Sequence, residues 1–216
     1  MEFEEPGRQP GGDGEQPRIS IGFVVLFYGV LAFGTFGLAL LFDDLNPVFW
    51  HDENATSLWF DIGTAVGFGL LVVGLSQILD QTTEWARELG REFGKLLGKL
   101  DVEQVFIVAC ASGIGEELFF RGFLQQMLSE SVFSGANARW YALAVTSVVF
   151  GALHVGPDLK KFLPWTIMAI VFGGVFGWLF MYTGNLIGPI LAHFTINFLN
   201  IMAISERYGV PRDTHG

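Results

Sequence analysis

The sequence predicts an all-α fold: a polytopic transmembrane helix bundle of about six spans, with one cytoplasmic interfacial amphipathic helix. Three observations predict it. The 216-residue chain is 51% hydrophobic and only 16% charged, with a mean hydropathy of +0.45, whereas average soluble chains carry about 25% charge. Several apolar runs approach the roughly 20 residues needed to cross about 30 Å of hydrocarbon at 1.5 Å per residue. The basic residues also fall almost entirely on one side of those runs.

The same arithmetic excludes other classes. Disorder throughout needs low hydrophobicity and high charge. A disulfide scaffold needs more than the single Cys110. A net charge of −10 argues against a nucleic-acid binder. The chain is too apolar to bury its hydrophobic surface in one soluble core, so the lipid bilayer is its natural second solvent.

The first span runs from Ile19 to Phe42 without a charge, and the second from about Leu58 to Leu79 with Asp61 near its start. The third lies between Val102 and Met127 and carries Glu116, Glu117 and Arg121 in its middle. The fourth, about Trp140 to Val155, is short; the fifth covers Phe162 to Tyr182, and the sixth Leu186 to Ile204. With the N-terminus in the cytoplasm, ten of the twelve Lys and Arg residues lie inside, Arg139 lies outside, and Arg121 is intramembrane. This positive-inside bias predicts a multi-pass cell-membrane protein with both termini cytoplasmic. The acidic, Gly- and Pro-rich residues 1–18 read as a disordered tail before an uncleaved anchor rather than as a signal peptide.

Between the second and third spans, Trp85, Leu89, Phe93, Leu96, Leu97 and Leu100 recur at helical spacing. Arg87, Arg91, Lys95 and Lys99 form a second stripe, with Glu84, Glu88 and Glu92 three residues ahead of partners. This is an amphipathic helix predicted to lie on the cytoplasmic interface. The pairs Gly63/Gly67 and Gly173/Gly177 match the small-xxx-small pattern of closely packed helices.

Ionisable groups inside hydrocarbon cost at least ~2.5–3.5 kcal/mol each, which makes them functional candidates. In Glu116-Glu117-Leu118-Phe119-Phe120-Arg121, Glu117 and Arg121 are four residues apart and share a helix face. Glu116 points about 100° away. The spacing therefore pairs Glu117 with Arg121 and leaves Glu116 unpaired, free to take a proton as a general base. The bland alternative is a charge cluster locking two helices. Phe150 and His154 end the fourth span, where a lone His is commonly interfacial. His193 and Asn197, four apart in the sixth span, face one way, as catalytic groups or as interhelical hydrogen-bonding glue. Two His and one free Glu from three spans are suited to activating water. One strain remains: Glu116 lies about 21 Å along its helix, whereas the fourth span as drawn leaves His154 near the inner surface.

The three motifs in order, Glu-Glu-x-x-x-Arg, Phe-x-x-x-His and His-x-x-x-Asn, resemble those of the CPBP family, the CAAX-prenyl-protease-like and bacteriocin-processing intramembrane endopeptidases. The resemblance covers about Val102 to Ile204, with no departure inside the motifs. It implies hydrolysis of a peptide bond in a membrane-associated protein or peptide, near the cytoplasmic face and within a wet cavity. Glu116 and His154 would activate water, His193 and Asn197 would hold the oxyanion, and Glu117, Arg121 and Phe150 would support the site. No cofactor is expected. If zinc is present, Glu116, His154 and His193 would be its ligands, with Glu117 left as a possible base; the Arg121 pairing makes Glu117 a poor one, which favours a metal-free reading. The expected division is a tail over 1–18, two transmembrane helices and the amphipathic connector over 19–101, the catalytic bundle over 102–204 and a short cytoplasmic tail over 205–216. A non-catalytic immunity or scaffold protein, or a proton-coupled transporter, are the competing readings.

Overall fold

A computed structural model describes residues 20–42, 45–49 and 56–210. The expected tail over 1–18, residues 43–44 and 50–55 between the first two expected spans, and the chain after 210 lie outside the described residues. The described residues form seven helices and no strand: α1 (Ile21–Ala39), α2 (Leu58–Thr82), α3 (Glu84–Leu97), α4 (Val102–Glu117), α5 (Ala138–Ala152), α6 (Leu159–Thr183) and α7 (Ile187–Tyr208). A π-helical stretch, Leu118–Gln125, continues α4, and a second follows at Leu128–Val132.

Local chemistry sets several of these boundaries. Asp101 and Gln104 close a reciprocal capping box at the start of α4: Asp101 Oδ1 accepts the Gln104 N–H at 2.8 Å, and Gln104 Oε1 accepts the Asp101 N–H at 3.1 Å. Asp158 caps α6 by accepting from the Lys160 and Lys161 N–H groups. Gly184 ends α6 in the left-handed conformation, at φ 68°, where a side chain would be strained.

Four helices among the described residues, α1, α2, α6 and α7, are long and apolar enough to cross a membrane by length and composition. The other two expected spans depart for clear reasons. The third carries Glu116, Glu117 and Arg121 and passes from α into π geometry, and the fourth is only 15 residues long as α5. Large apolar side chains face outward, Phe33 and Trp59 each at 81% exposure. In water such a surface would be costly; in lipid it is the expected contact.

Packing runs through α2 on α7, α5 on α6, and α4 against both α1 and α7. One apolar cluster joins Ala65, Phe176, Leu179, Ala192 and Ile196, and a second joins Phe120, Phe150 and Ala169 beside the acidic motif. Gly173 and Gly177 lie on the packed face of α6: a Cβ at Gly173 would come within 3.0 Å of Ser147 Cα, and one at Gly177 within 2.5 Å of Leu143 Cδ1. The Gly63/Gly67 pair has no such role, because both face open space among the described residues; Gly69, pressed on Thr195, makes the close contact of α2.

The amphipathic helix forms as expected, but its apolar face is covered by protein. α3 packs on α7, α2 and α6. Leu89, Gly90 and Gly94 are buried, and Phe93 meets Phe162 and Trp165 edge-on at 5.1 and 5.3 Å. The charge pairs also differ in part from the expected ladder. Arg87 and Arg91 both reach Glu84, Lys95 reaches Glu92, and Lys161 of α6 reaches Glu92 at 2.8 Å and Glu88 at 3.8 Å. Docking of α3 on its neighbours, rather than lipid alone, explains both changes.

Candidate active site

Glu116 and Glu117 occupy the last turn of α4, just before the backbone passes into π geometry. Such stretches are rare and occur frequently at functional sites. Glu117 is completely buried, and its Oε1 accepts from Arg121 Nη1 at 3.1 Å, the i,i+4 pair expected from spacing. Arg121 is enclosed as well. Its Nη2 donates to the Gly173 carbonyl at 3.0 Å, and its guanidinium lies 4.5 Å from the Phe150 ring centroid, with Phe176 and Phe120 slightly farther away. Phe150 thus covers a buried cation, where ring and guanidinium attract each other, and its ring also lies 4.3 Å from that of His154.

Glu117 has a second partner that spacing did not disclose: His193 Nδ1, at 2.8 Å. A carboxylate can only accept, so the His193 proton sits on Nδ1 and Nε2 points away. That Nε2 lies 3.9 Å from Glu116 Oε2. One imidazole on α7 therefore spans both acids, although the two carboxylates leave α4 on different faces. His193 is held from the side by Phe176, stacked at 5.1 Å.

His154 lies in the turn after α5. Its Nδ1 donates to the Phe150 carbonyl at 2.7 Å, which directs Nε2 toward Glu116 Oε2 at 3.5 Å. This resolves the strain over depth. The contact between His154 Nε2 and Glu116 Oε2 puts the end of α5 level with Glu116, so the expected difference in depth between the two residues is absent.

Glu116 is not the solitary acid that spacing suggests. Tyr28 of α1 donates its hydroxyl to Glu116 Oε1 at 2.5 Å. The other oxygen, Oε2, is buried without a hydrogen-bond partner among the described residues and faces the two imidazole Nε2 atoms. Tyr28 carried no signal in the motifs, since it is one aromatic residue in an apolar span 88 positions away. Asn197, one turn after His193, donates to Ser112 Oγ at 2.9 Å, another partner absent from the motif pattern.

A cavity of about 560 Å³ opens beside these groups. Tyr28, Ser112, Glu116, His154 and Asn197 form its polar end, and residues of α2, α3, α6 and α7 form mostly apolar walls. His193 does not line it; that ring sits behind Glu116 at 5% exposure. Glu116, His154 and His193 are donor types that zinc accepts, but among the described residues no group of three or more His, Cys, Asp or Glu side chains is disposed to hold a metal ion.

The fold and this cluster define a class: a helical membrane protein with a carboxylate and two imidazoles converging inside its bundle. Residues 99–199 match the family described as type II CAAX prenyl endopeptidase Rce1-like, in agreement with the motif resemblance. The chain is also similar to the uncharacterized protein YpbD of Bacillus subtilis (strain 168), with 24% identity over 194 residues, covering 89% of this chain and 90% of the relative. No solved structure gives a significant match.

Proposed function

We propose that this protein is an intramembrane endopeptidase that hydrolyses a peptide bond of a membrane-associated protein or peptide. The observation that carries this reading is the convergence of Glu116 Oε2 with His154 Nε2 at 3.5 Å and His193 Nε2 at 3.9 Å, at the polar end of a cavity.

In this reading a water enters between Glu116 and His154. Glu116 takes its proton while the oxygen attacks the peptide carbonyl carbon. The resulting oxyanion is held by the Asn197 amide, whose second N–H is not used by Ser112, while His193, which lies behind Glu116 and outside the cavity lining, supports Glu116 Oε2 from the far side. Each well-placed donor contributes roughly 2.7–4 kcal/mol to the transition state. Collapse of the tetrahedral intermediate breaks the C–N bond, and the proton gained from water passes through Glu116 or His154 to the leaving amine. The Glu117–Arg121 pair fixes the orientation of His193, as a carboxylate behind an imidazole does in other hydrolytic sites. Tyr28 fixes the rotamer of Glu116. All of these roles use the chain's own groups, without metal or cofactor.

The distribution of Lys and Arg supports placing both termini and α3 on the cytoplasmic side. The cavity then opens toward that face, where a membrane-anchored segment can enter.

Purified protein in detergent or liposomes, given a panel of membrane-anchored reporter peptides, tests the reading. Glu116→Gln is expected to abolish cleavage while the thermal melt stays near wild type. Undiminished cleavage by Glu116→Gln would reject the assignment.

A further inference from the structure

A second polar feature interrupts the apolar walls of the cavity one turn beyond Asn197. Ser76 of α2 donates to Asn200 Oδ1 of α7 at 2.6 Å. Both residues line the 560 Å³ cavity that holds Glu116 and His154, and both also line a smaller cavity of about 120 Å³ that reaches Asp80, Arg207 and Tyr208. The Ser76–Asn200 pair thus stands where the two spaces meet. The Ser76 hydroxyl is shared between Asn200 Oδ1 and the Val73 carbonyl of its own helix at 2.8 Å, and Asn200 Nδ2 has no protein acceptor among the described residues. Val72, Leu75, Trp165 and Met168 around it are apolar or aromatic.

An extended peptide drawn through such a space faces a specific difficulty. Its side chains can be apolar, but each backbone carbonyl and N–H loses water and needs a partner. A fixed amide in an otherwise apolar wall supplies one. Asn197 and Asn200 are three residues apart on one face of α7, about 4.5 Å along its axis. An extended chain advances about 3.3 Å per residue. A peptide whose scissile carbonyl sits at Asn197 therefore brings a carbonyl one or two residues away within reach of Asn200.

We propose that Asn200, oriented by Ser76, is a substrate-positioning residue that donates from Nδ2 to a backbone carbonyl of an extended peptide, one or two residues from the scissile bond. The proposal rests on the endopeptidase reading of the same cavity. It makes the preferred substrate a segment that is unfolded at the cleavage point and apolar where it passes Val72, Leu75 and Met168.

The test measures steady-state cleavage of one reporter peptide by Asn200→Leu, Ser76→Ala and Ser76→Thr, together with binding of the same peptide to the Glu116→Gln protein with and without Asn200→Leu. Asn200→Leu keeps the volume and removes the donor. It is expected to raise KM and weaken binding by about tenfold, the effect of one lost hydrogen bond, with kcat within about twofold. Ser76→Ala should follow in the same direction by about threefold, and Ser76→Thr, which keeps the hydroxyl, should restore wild-type values. Unchanged KM and binding in Asn200→Leu would overturn the proposal, as would a fall in kcat with a lowered melting temperature and no change in KM. If Asn200→Leu does not fold, the contrast between Ser76→Ala and Ser76→Thr decides alone. Cleavage surviving in Glu116→Gln would instead reject the endopeptidase reading, so the two failures are distinct.

Discussion

Tyr28 donates its hydroxyl to Glu116 Oε1 at 2.5 Å and thereby connects the first helix to the acid at the end of α4. The contact accounts for one oxygen of a buried carboxylate and leaves the other facing His154 and His193. Without the tyrosine hydroxyl, Oε1 as well as Oε2 would be buried with no donor among the described residues. The first helix, which carries none of the motif residues, is thus part of the site.

Tyr28→Phe is expected to lower kcat by roughly tenfold and to reduce stability by about 1–3 kcal/mol, since a buried acceptor loses its donor. Single-turnover cleavage and a thermal melt in detergent check both numbers. Wild-type values in both would show that Glu116 is held by its other neighbours alone.

Arg121→Ala is expected to be the most destabilising single change at the site, by roughly 3–5 kcal/mol, because it leaves Glu117 buried without its cation. Pairing it with Glu117→Gln should recover part of the loss, since the two side chains are in direct contact at 3.1 Å. Equal melting temperatures for Arg121→Ala and wild type would remove the structural role given to this pair.

Asn197→Ala is expected to reduce kcat by about 10²–10³-fold with a small change in KM, as for the loss of one oxyanion donor. Ser112→Ala, which removes only the acceptor that holds the amide at 2.9 Å, should cost far less. A KM effect without a kcat effect in Asn197→Ala would move this residue from the oxyanion to ground-state binding.

Cleavage is expected to persist in the presence of a strong chelator. Loss of activity on chelation, restored by zinc, would transfer Glu116, His154 and His193 to ligand roles.

The docking of α3 on the bundle should depend on pH in a defined direction. Hydrogen bonds from Lys161 and then Lys95 hold the Glu92 carboxyl below its usual range. A group whose folded value is depressed contributes stability that is fully present above its unfolded value and is lost as pH falls through the folded one. Hydrogen-exchange protection factors across Glu84–Leu97, corrected for the intrinsic pH dependence of amide exchange, should therefore be flat from neutral pH down to the ordinary Glu range of about 4.3 and fall below it. Lys161→Ala should bring a similar fall at neutral pH. Exchange that is unaffected by Lys161→Ala would show that apolar contacts alone dock α3.

The sequence by itself determined the helices and one contact of the site, the pairing of Glu117 with Arg121. Apolar length and charge placement marked α1, α2, α6 and α7 within a few residues, and heptad-like spacing marked α3, because these signals are local and periodic. The four-residue spacing of Glu117 and Arg121 forced their pairing for the same reason. Only the tertiary structure decided what crosses between helices: Tyr28 on Glu116, Ser112 under Asn197, Ser76 on Asn200, and His193 spanning both acids. Each joins residues 76 to 124 positions apart, a separation at which helical periodicity carries no information. The early end of α5 belongs to the same category. Its 15 residues seemed too few for a span, and only the packed bundle shows that this shortness sets His154 level with Glu116.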